Sequence, residues 1–280
     1  MADAGFPEHI ALIAGQGDFP YLVAQSAKAN GVRVTTIAIN TFANARLAEV
    51  SDDIHWLSLG QLQKAIDLLH QTGAKHLIMA GKIPHNSIFQ YRHFDMRAMK
   101  LLGKMANKRA DGLLQSVTED FAREGIVVAD SSMFLKSLMP GPGLLNPKMS
   151  ASPLVEQDIE FGYPLAKSIA GLDIGQTIVV KDKMVVAVEG AEGTDACIQR
   201  AGELAGQGCV VIKVSKPHQD LRYDIPIIGP ETIRVMANAK CAAMALSAHR
   251  SLVFHRDEVS QLAREDNIVI KFISDENDPA

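Results

Sequence analysis

The sequence predicts an α/β protein. An N-terminal, Rossmann-like domain with a mostly parallel sheet is followed by a C-terminal α/β domain with a mixed sheet. Three observations predict this. Through residue 129, short apolar runs alternate with amphipathic stretches, the pattern of parallel strands joined by helical crossovers. Met139-Pro140-Gly141-Pro142-Gly143-Leu144 then interrupts the chain, because two prolines alternating with two glycines continue neither a helix nor a central strand. Beyond it, Lys181-Asp182-Lys183 separates two apolar runs as a hairpin turn does, which brings an antiparallel pair into the second sheet. A length of 280 residues suits two domains. The expected division is 1–138, a linker at 139–144, and 145–280.

Residues 10–14 predict the first strand, Gly15-Gln16-Gly17-Asp18-Phe19-Pro20 a turn, and residues 21–30 a helix closed by Gly31. Strand, glycine turn and helix form a phosphate-binding opening, in which Gly15, Gln16 and Gly17 let the backbone approach an anion at a helix N-terminus. A tight structural turn explains the same glycines. Pro20 stands where a dinucleotide fingerprint has its third glycine, and Asn40 follows the second strand (33–39) where an acid would grip a ribose, so NAD binding is disfavoured. Strand 54–57, helix 59–71 and strand 76–80 lead to Gly81-Lys82, where a lysine could meet phosphate or lie on the surface. The polar, basic stretch 90–104 precedes a helix through 124. Asp111 near that helix's start is a substrate-contact candidate or a first-turn acid. Strand 126–129 and a connector, 130–138, end this half.

In the second half, residues 156–170 predict a helix bent near Gly162-Tyr163-Pro164, and residues 177–180 and 184–189 two strands. The second strand empties into Glu189-Gly190-Ala191-Glu192-Gly193-Thr194-Asp195, where Thr194 or Asp195 is suited to cap helix 196–205. Strand 209–215 empties into Lys216-Pro217-His218-Gln219-Asp220-Leu221-Arg222-Tyr223-Asp224-Ile225-Pro226. So many charged and amide groups make poor core material, since a buried charge is unfavourable unless paired or metal-bound. Two acidic loops at the ends of two apolar strands make a candidate site; a solvated loop is the bland reading. Strand 225–228, helix 230–246, strand 252–254, helix 257–264, strand 268–273 and a frayed tail, 274–280, complete the expectation.

Composition limits the function classes. Hydrophobic residues make up 47%, enough for a buried core, and a net charge of −4 argues against a general nucleic-acid binder. The three cysteines, Cys197, Cys209 and Cys241, are scattered and odd in number, so neither a zinc site nor a disulfide framework is indicated. Residues 1–9 lack the basic segment of a signal peptide, and no apolar run reaches the ~18–20 residues that span a bilayer. A soluble, cytoplasmic protein is expected.

Taken together, the motifs resemble those of one family, the LpxI-type UDP-2,3-diacylglucosamine pyrophosphatases of lipid A biosynthesis. The resemblance covers nearly the whole chain. It rests on Ile13-Ala14-Gly15-Gln16-Gly17 with Pro20, Met79-Ala80-Gly81-Lys82-Ile83, and Ala110-Asp111-Gly112-Leu113-Leu114. It rests further on Leu172-Asp173-Ile174-Gly175-Gln176, Val186-Ala187-Val188-Glu189 with Glu192-Gly193-Thr194-Asp195, and the 216–226 loop with Ile228-Gly229-Pro230. The resemblance implies hydrolysis of the UDP-sugar pyrophosphate to UMP and 2,3-diacylglucosamine 1-phosphate (lipid X), with Mg²⁺ or Mn²⁺, and an acylated sugar held between two domains. It implies Asp224, Asp220 and Arg222 as catalytic, and Glu189, Asp195, Asp220 and Asp224 as metal candidates. Gly15, Gln16, Gly17, Lys82, Asp111, Thr194 and Gln219 become substrate contacts. The implied partners are the acylated UDP-sugar, the inner-membrane surface by peripheral contact, and a second copy in a homodimer. Gln16 and the Ala248-His249-Arg250-Ser251 turn depart from the family pattern; smaller residues are expected at both. Independent chemistry agrees: pyrophosphate hydrolysis needs charge neutralisation and positioning, which Arg222 and carboxylates supply. Two other readings are a nucleotide-cofactor oxidoreductase built on the Gly15 turn and a non-catalytic lipid- or nucleotide-sensing module.

Overall fold

A computed structural model describes residues 5–84, 94–103, 110–217, 219–223 and 225–275, with the backbone alone at 110–113. Contacts divide the chain into two units. The first is Met1–Leu135 with Leu221–Tyr223, and the second is Lys136–Asp220 with Asp224–Ala280.

The first unit holds five parallel strands: β1 (His9–Ala14), β2 (Arg33–Ile39), β3 (Asp53–Leu57), β4 (His76–Ala80) and β5 (Val127–Val128), ordered β3-β2-β1-β4-β5. The central strands β1, β2 and β4 are mostly buried, as in a parallel sheet covered on both faces, whereas edge strand β3 is partly exposed. Helix α1 (Phe19–Ala29) carries Pro20 in its first turn, where a missing N–H is harmless. Helix α2 (Leu47–Val50) is a single turn. Helix α3 (Leu62–Thr72) buries Ala65, Ile66 and Leu69 and ends at Gly73, whose φ of 73° a side chain would strain. Helix α4 (Met96–Gly103) lies within the stretch read only as polar and basic, and α5 (Ala110–Arg123) follows. Ile37, Ile66, Leu69, Leu77 and Phe121 share one core cluster. Each such side chain contributes roughly 1.5–3 kcal/mol on burial.

In the second unit, β6 (Gly143–Leu144), β7 (Thr177–Lys181), β8 (Met184–Val188), β9 (Val210–Lys213), β11 (Ala243–Ser247) and β13 (Val269–Ile273) form the sheet β6-β13-β11-β9-β7-β8. β9, β11 and β13 run parallel, whereas β7, β8 and β6 pair antiparallel to their neighbours, giving the expected mixed sheet. A separate parallel pair joins β10 (Ile227–Ile228) to β12 (Leu252–Val253). Successive strand residues divide between two cores. Ile178, Val180, Val210 and Ile212 meet Ile159, Ala166 and Ala170 of helix α6 (Pro153–Gly171). Val179, Val211, Met244 and Leu246 meet Ile198, Ile233 and Val259 of α7 (Thr194–Ala205), α8 (Pro230–Asn238) and α9 (Arg256–Glu265).

Several expectations change. Helix α6 starts at Pro153, capped by Ser152, and runs through Pro164. Gly162 lies so close to the sheet that a Cβ would stand 2.3 Å from Ile212 Cδ1. The stretch read as one helix over 230–246 is helix α8 followed by central strand β11, separated by Lys240 at φ 53°. Gly143 and Leu144, read as linker, form an edge strand against β13. The 181–183 turn is a hairpin in which Asp182 and Lys183 have φ of 50° and 57°. Both of their N–H groups donate to the buried Asp158 carboxylate, at 3.0 and 2.6 Å, which offsets that unfavourable conformation.

Candidate functional site

The first unit's strand order reverses between β1 and β4, and open parallel sheets bind ligands at the carboxyl ends of such strands. Gly15-Gln16-Gly17 leaves β1 there and Gly81-Lys82 leaves β4. The structure brings these residues together. The Gln16 and Lys82 amides each donate to the other's carbonyl at 2.9 Å, and Gly15 N–H donates to Ala80 O at 2.8 Å. A Cβ on Gly15 would lie 2.9 Å from Lys82 O, and one on Gly81 would lie 2.8 Å from the Gly15 carbonyl carbon and 2.9 Å from Pro20 Cγ. Gly15 and Gly81 are thus glycines because two turns cross, and the Pro20 ring fills the space beside them. The Gly15 and Gln16 amides are already engaged, whereas the Lys82 side chain is exposed and Gly17, at φ 98°, has open space around it. Asn40 N–H donates to Leu57 O.

In the second unit, the antiparallel register sets Thr177 opposite Lys213, and Glu189 N–H extends the ladder to Thr177 O. The Thr194 hydroxyl donates to Glu189 Oε1 at 2.8 Å and accepts from Lys213 Nζ at 2.8 Å. Gln176 N–H donates to Glu189 Oε2 at 3.3 Å. Ammonium, hydroxyl and carboxylate therefore stand in a fixed row at one end of the sheet. Gly193 at φ 86° is the N-cap of α7 with no side-chain cap, so Thr194, read as a cap, is instead the first helical residue. Asp195 is exposed in that first turn, where a carboxylate complements the helix dipole. Glu192's own N–H and Arg200, paired at 2.7 Å, hold its carboxyl below the usual range.

The 216–226 loop begins in an anchored turn. Lys216 N–H donates to Gln219 Oε1 at 2.8 Å, Gln219 N–H returns to Lys216 O at 3.1 Å, and Lys216 Nζ meets Asp173 at 2.7 Å. Gln219 is thereby a turn-former. Asp220 is half-buried, and the Arg222 guanidinium lies 5.7 Å from the centre of the Tyr223 ring. His218 and Asp224 lie outside the described residues, and Asp111 is in the first turn of α5. Among the described residues, no three acidic, histidine or cysteine side chains converge as a metal cage would require. His249 has φ 55°, a conformation glycine adopts readily, and its N–H holds Pro140 O at 2.8 Å.

Sequence reasoning missed Lys213 and Thr177. Their signal was a lysine closing an otherwise apolar strand, but its partner depends on the antiparallel register. It also missed a polar group at the carboxyl ends of β9, β11 and β13, comprising Tyr163, Lys167, Ser215, Ser247 and Asp275.

Comparison with known proteins follows the same division. The LpxI N-terminal domain matches residues 9–138 and the LpxI C-terminal domain matches residues 143–271. A relative from Caulobacter vibrioides, UDP-2,3-diacylglucosamine pyrophosphatase LpxI, is 32% identical over 262 residues, covering 89% of this chain and 92% of its own. Among solved structures, biotin carboxylase from Campylobacter jejuni is 13% identical with a TM-score of 0.30, over 73% of this chain and 43% of that one. N5-carboxyaminoimidazole synthetase from Staphylococcus aureus is 15% identical with a TM-score of 0.25, over 64% and 39%. The chain spans less than half of either, and both likenesses are too weak to bear on fold or function. The matches to both halves and the relative's full-length similarity show that the chain belongs to the LpxI family.

Proposed function

We propose that the protein hydrolyses the pyrophosphate bond of UDP-2,3-diacylglucosamine, giving 2,3-diacylglucosamine 1-phosphate and UMP in lipid A biosynthesis. The observation that carries the reading is family membership across both halves of the chain, with the Caulobacter relative bearing that activity in its name. The residues suit the chemistry. Arg222 offers a two-pronged donor to phosphate oxygens. Asp224 acts on the attacking water, with Asp220 four residues earlier in the sequence. Lys82, Gly17, Asp111, Thr194 and Gln219 are assigned to substrate contact or to holding the groups that make it.

A divalent cation, Mg²⁺ or Mn²⁺, is part of the proposal. When bound it neutralises phosphate charge, taking one or two carboxylates plus water and substrate oxygens as Mg²⁺ prefers. That ligation needs no closed protein cage, in keeping with the absence of a three-residue cluster among the described residues. Glu189, Asp195, Asp220 and Asp224 are the carboxylates assigned to it; Glu189 accepts from Gln176 N–H and from the Thr194 hydroxyl, and Asp195 is exposed.

No helix among the described residues is long and apolar enough to cross a membrane. The acyl chains place the substrate in a bilayer, so a cytoplasmic enzyme reaches it by peripheral contact, as a monomer or homodimer. The test is incubation of purified protein with UDP-2,3-diacylglucosamine, with and without Mg²⁺, following UMP and the sugar phosphate by chromatography. Release of both products only with metal is expected. No turnover, with ligand-induced thermal stabilisation retained, would favour a sensing module, and stabilisation by NAD(P) would favour an oxidoreductase.

A further inference from the structure

The loop assigned to catalysis springs from Ser215, and Ser215 is held by groups the proposed chemistry does not use. Tyr163 and Lys167 lie one turn apart on α6 and reach the same end of the sheet. Ser215 follows β9, Ser247 ends β11 and Asp275 lies just beyond β13, so the three stand at the carboxyl ends of adjacent parallel strands. Lys167 Nζ donates to Ser215 O at 2.9 Å and to Asp275 Oδ2 at 2.7 Å. Tyr163 Oη lies 2.9 Å from Asp275 Oδ1 and 2.9 Å from Ser247 Oγ, which accepts from Ser215 N–H at 3.2 Å. A carboxylate only accepts, so the Tyr163 hydroxyl donates to Asp275, and Ser247 donates to the Tyr163 oxygen.

The Ser215 carbonyl is therefore held directly from α6 by Lys167, and its N–H by Ser247 of β11, which Tyr163 of α6 holds in turn; both serines are fully buried. The polar ring closes through a single carboxylate at the end of the described chain. Its charge matters because Lys167 and Asp275 are mostly covered, with 19% and 17% of their side chains exposed, and a covered ammonium without its counter-charge tends to leave. Of the tail expected to fray, 274–280, Asp275 is bonded to Tyr163 and Lys167, and residues 276–280 lie outside the described residues. The next residue after Ser215 begins the Lys216–Gln219 turn, and Asp220 and Arg222 follow.

We propose that Tyr163, Lys167 and Asp275 are positioning residues that set the direction in which the chain leaves Ser215 into the turn bonded between Lys216 and Gln219, and that Asp275 is the clasp of that arrangement. The proposal rests on the hydrolase reading for its kinetic consequence and on geometry alone for its effect on the loop. Small displacements of reacting groups are expensive in rate, on the order of 10²-fold for about 1 Å.

The experiment uses full-length Asp275→Asn, Asp275→Glu and Lys167→Met. Hydrogen exchange of the Lys216 and Gln219 amides is followed first, since it needs no turnover. Faster exchange at these two amides in Asp275→Asn and Lys167→Met, with partial restoration in Asp275→Glu and little change in Tm, is the expected result. In the hydrolysis assay, kcat should fall on the order of tenfold with KM nearly unchanged. If wild type shows no hydrolysis, the functional reading fails while the exchange result still judges the clasp. Unchanged exchange at both amides in Asp275→Asn and Lys167→Met overturns the proposal. So does a loss of Tm with kcat per folded molecule intact.

Discussion

Gly175 lies against the backbone of Glu189 so closely that a Cβ would stand 2.2 Å from the Glu189 carbonyl oxygen and 2.9 Å from its carbon. The chain entering β7 therefore passes directly over the chain leaving β8, and the Glu189 carboxylate is aimed by that crossing. Gly175→Ala must push the two segments apart. Overpacking of this kind costs about 1–3 kcal/mol. A lower Tm and a fall in kcat are expected together, because Gln176 and Thr194 both bond the displaced carboxylate. Thermal melting with steady-state kinetics checks this, and an alanine variant with wild-type Tm would contradict the packing argument.

Thr194 links Lys213 to Glu189, and its hydroxyl is the only part of it that does so. Thr194→Val keeps the shape and removes the hydroxyl, leaving a half-buried ammonium and a carboxylate each short of a partner, at about 1–3 kcal/mol. If the row serves the reaction, kcat falls more than stability explains, and Thr194→Ser restores most of it. Equal kcat per folded molecule in valine and threonine proteins would reduce the row to a structural brace.

The parallel first unit and the β7–β8 hairpin of the mixed sheet were legible because their strands carried their own signal, an apolar run closed by a turn. β11 was not. Ala243, Met244, Ala245 and Leu246 are helix-favouring residues with no proline or glycine before them, and a strand buried on both faces shows no alternation. Tertiary burial decided its conformation. The carboxylates at strand ends were legible from local contrast with the apolar strands. The Lys213–Thr194 bond and the Tyr163–Asp275 bond were not, because they depend on strand order and on contacts 19 and 112 residues apart in sequence. The 15–17 turn suggested phosphate, whereas the crossing with Gly81-Lys82 that engages its amides is invisible without the β1–β4 pairing.

Asp224 precedes Ile225-Pro226, and proline favours an extended predecessor. Leu221 and Arg222 lie in a turn and Tyr223 in a bend, and Asp224 itself lies outside the described residues. The proposed reaction gives Asp224 the role of acting on the attacking water. Asp224→Ala is expected to lower kcat by roughly 10²-fold or more, with substrate binding retained. Isothermal titration with intact substrate, beside the kinetic assay, separates the two quantities. A folded alanine variant turning over at the wild-type rate would remove Asp224 from the mechanism.

The thiols carry a pH signature set chiefly by burial. Burial pushes Cys197 up to about 11 and Cys241 up to about 12, and it raises Cys209 as well. None is ionised at neutral pH, so a thiol reagent at pH 8 should label them only as fast as the second unit opens. The sign for stability follows from proton binding. The folded state keeps its thiol protons to higher pH than the unfolded chain, whose cysteines titrate near 8.5–9. Their contribution is therefore fully present below that range and is lost as pH rises through it toward 11–12, because only the unfolded state gains by ionising. Urea melts at pH 8 and pH 10 should show a lower midpoint at the higher pH. Replacing Cys241 by alanine should flatten part of that fall while lowering the pH 8 midpoint through lost packing. Rapid labelling of native protein at pH 8, on the timescale of a free thiol, would show that the second core is open where the structure has it closed.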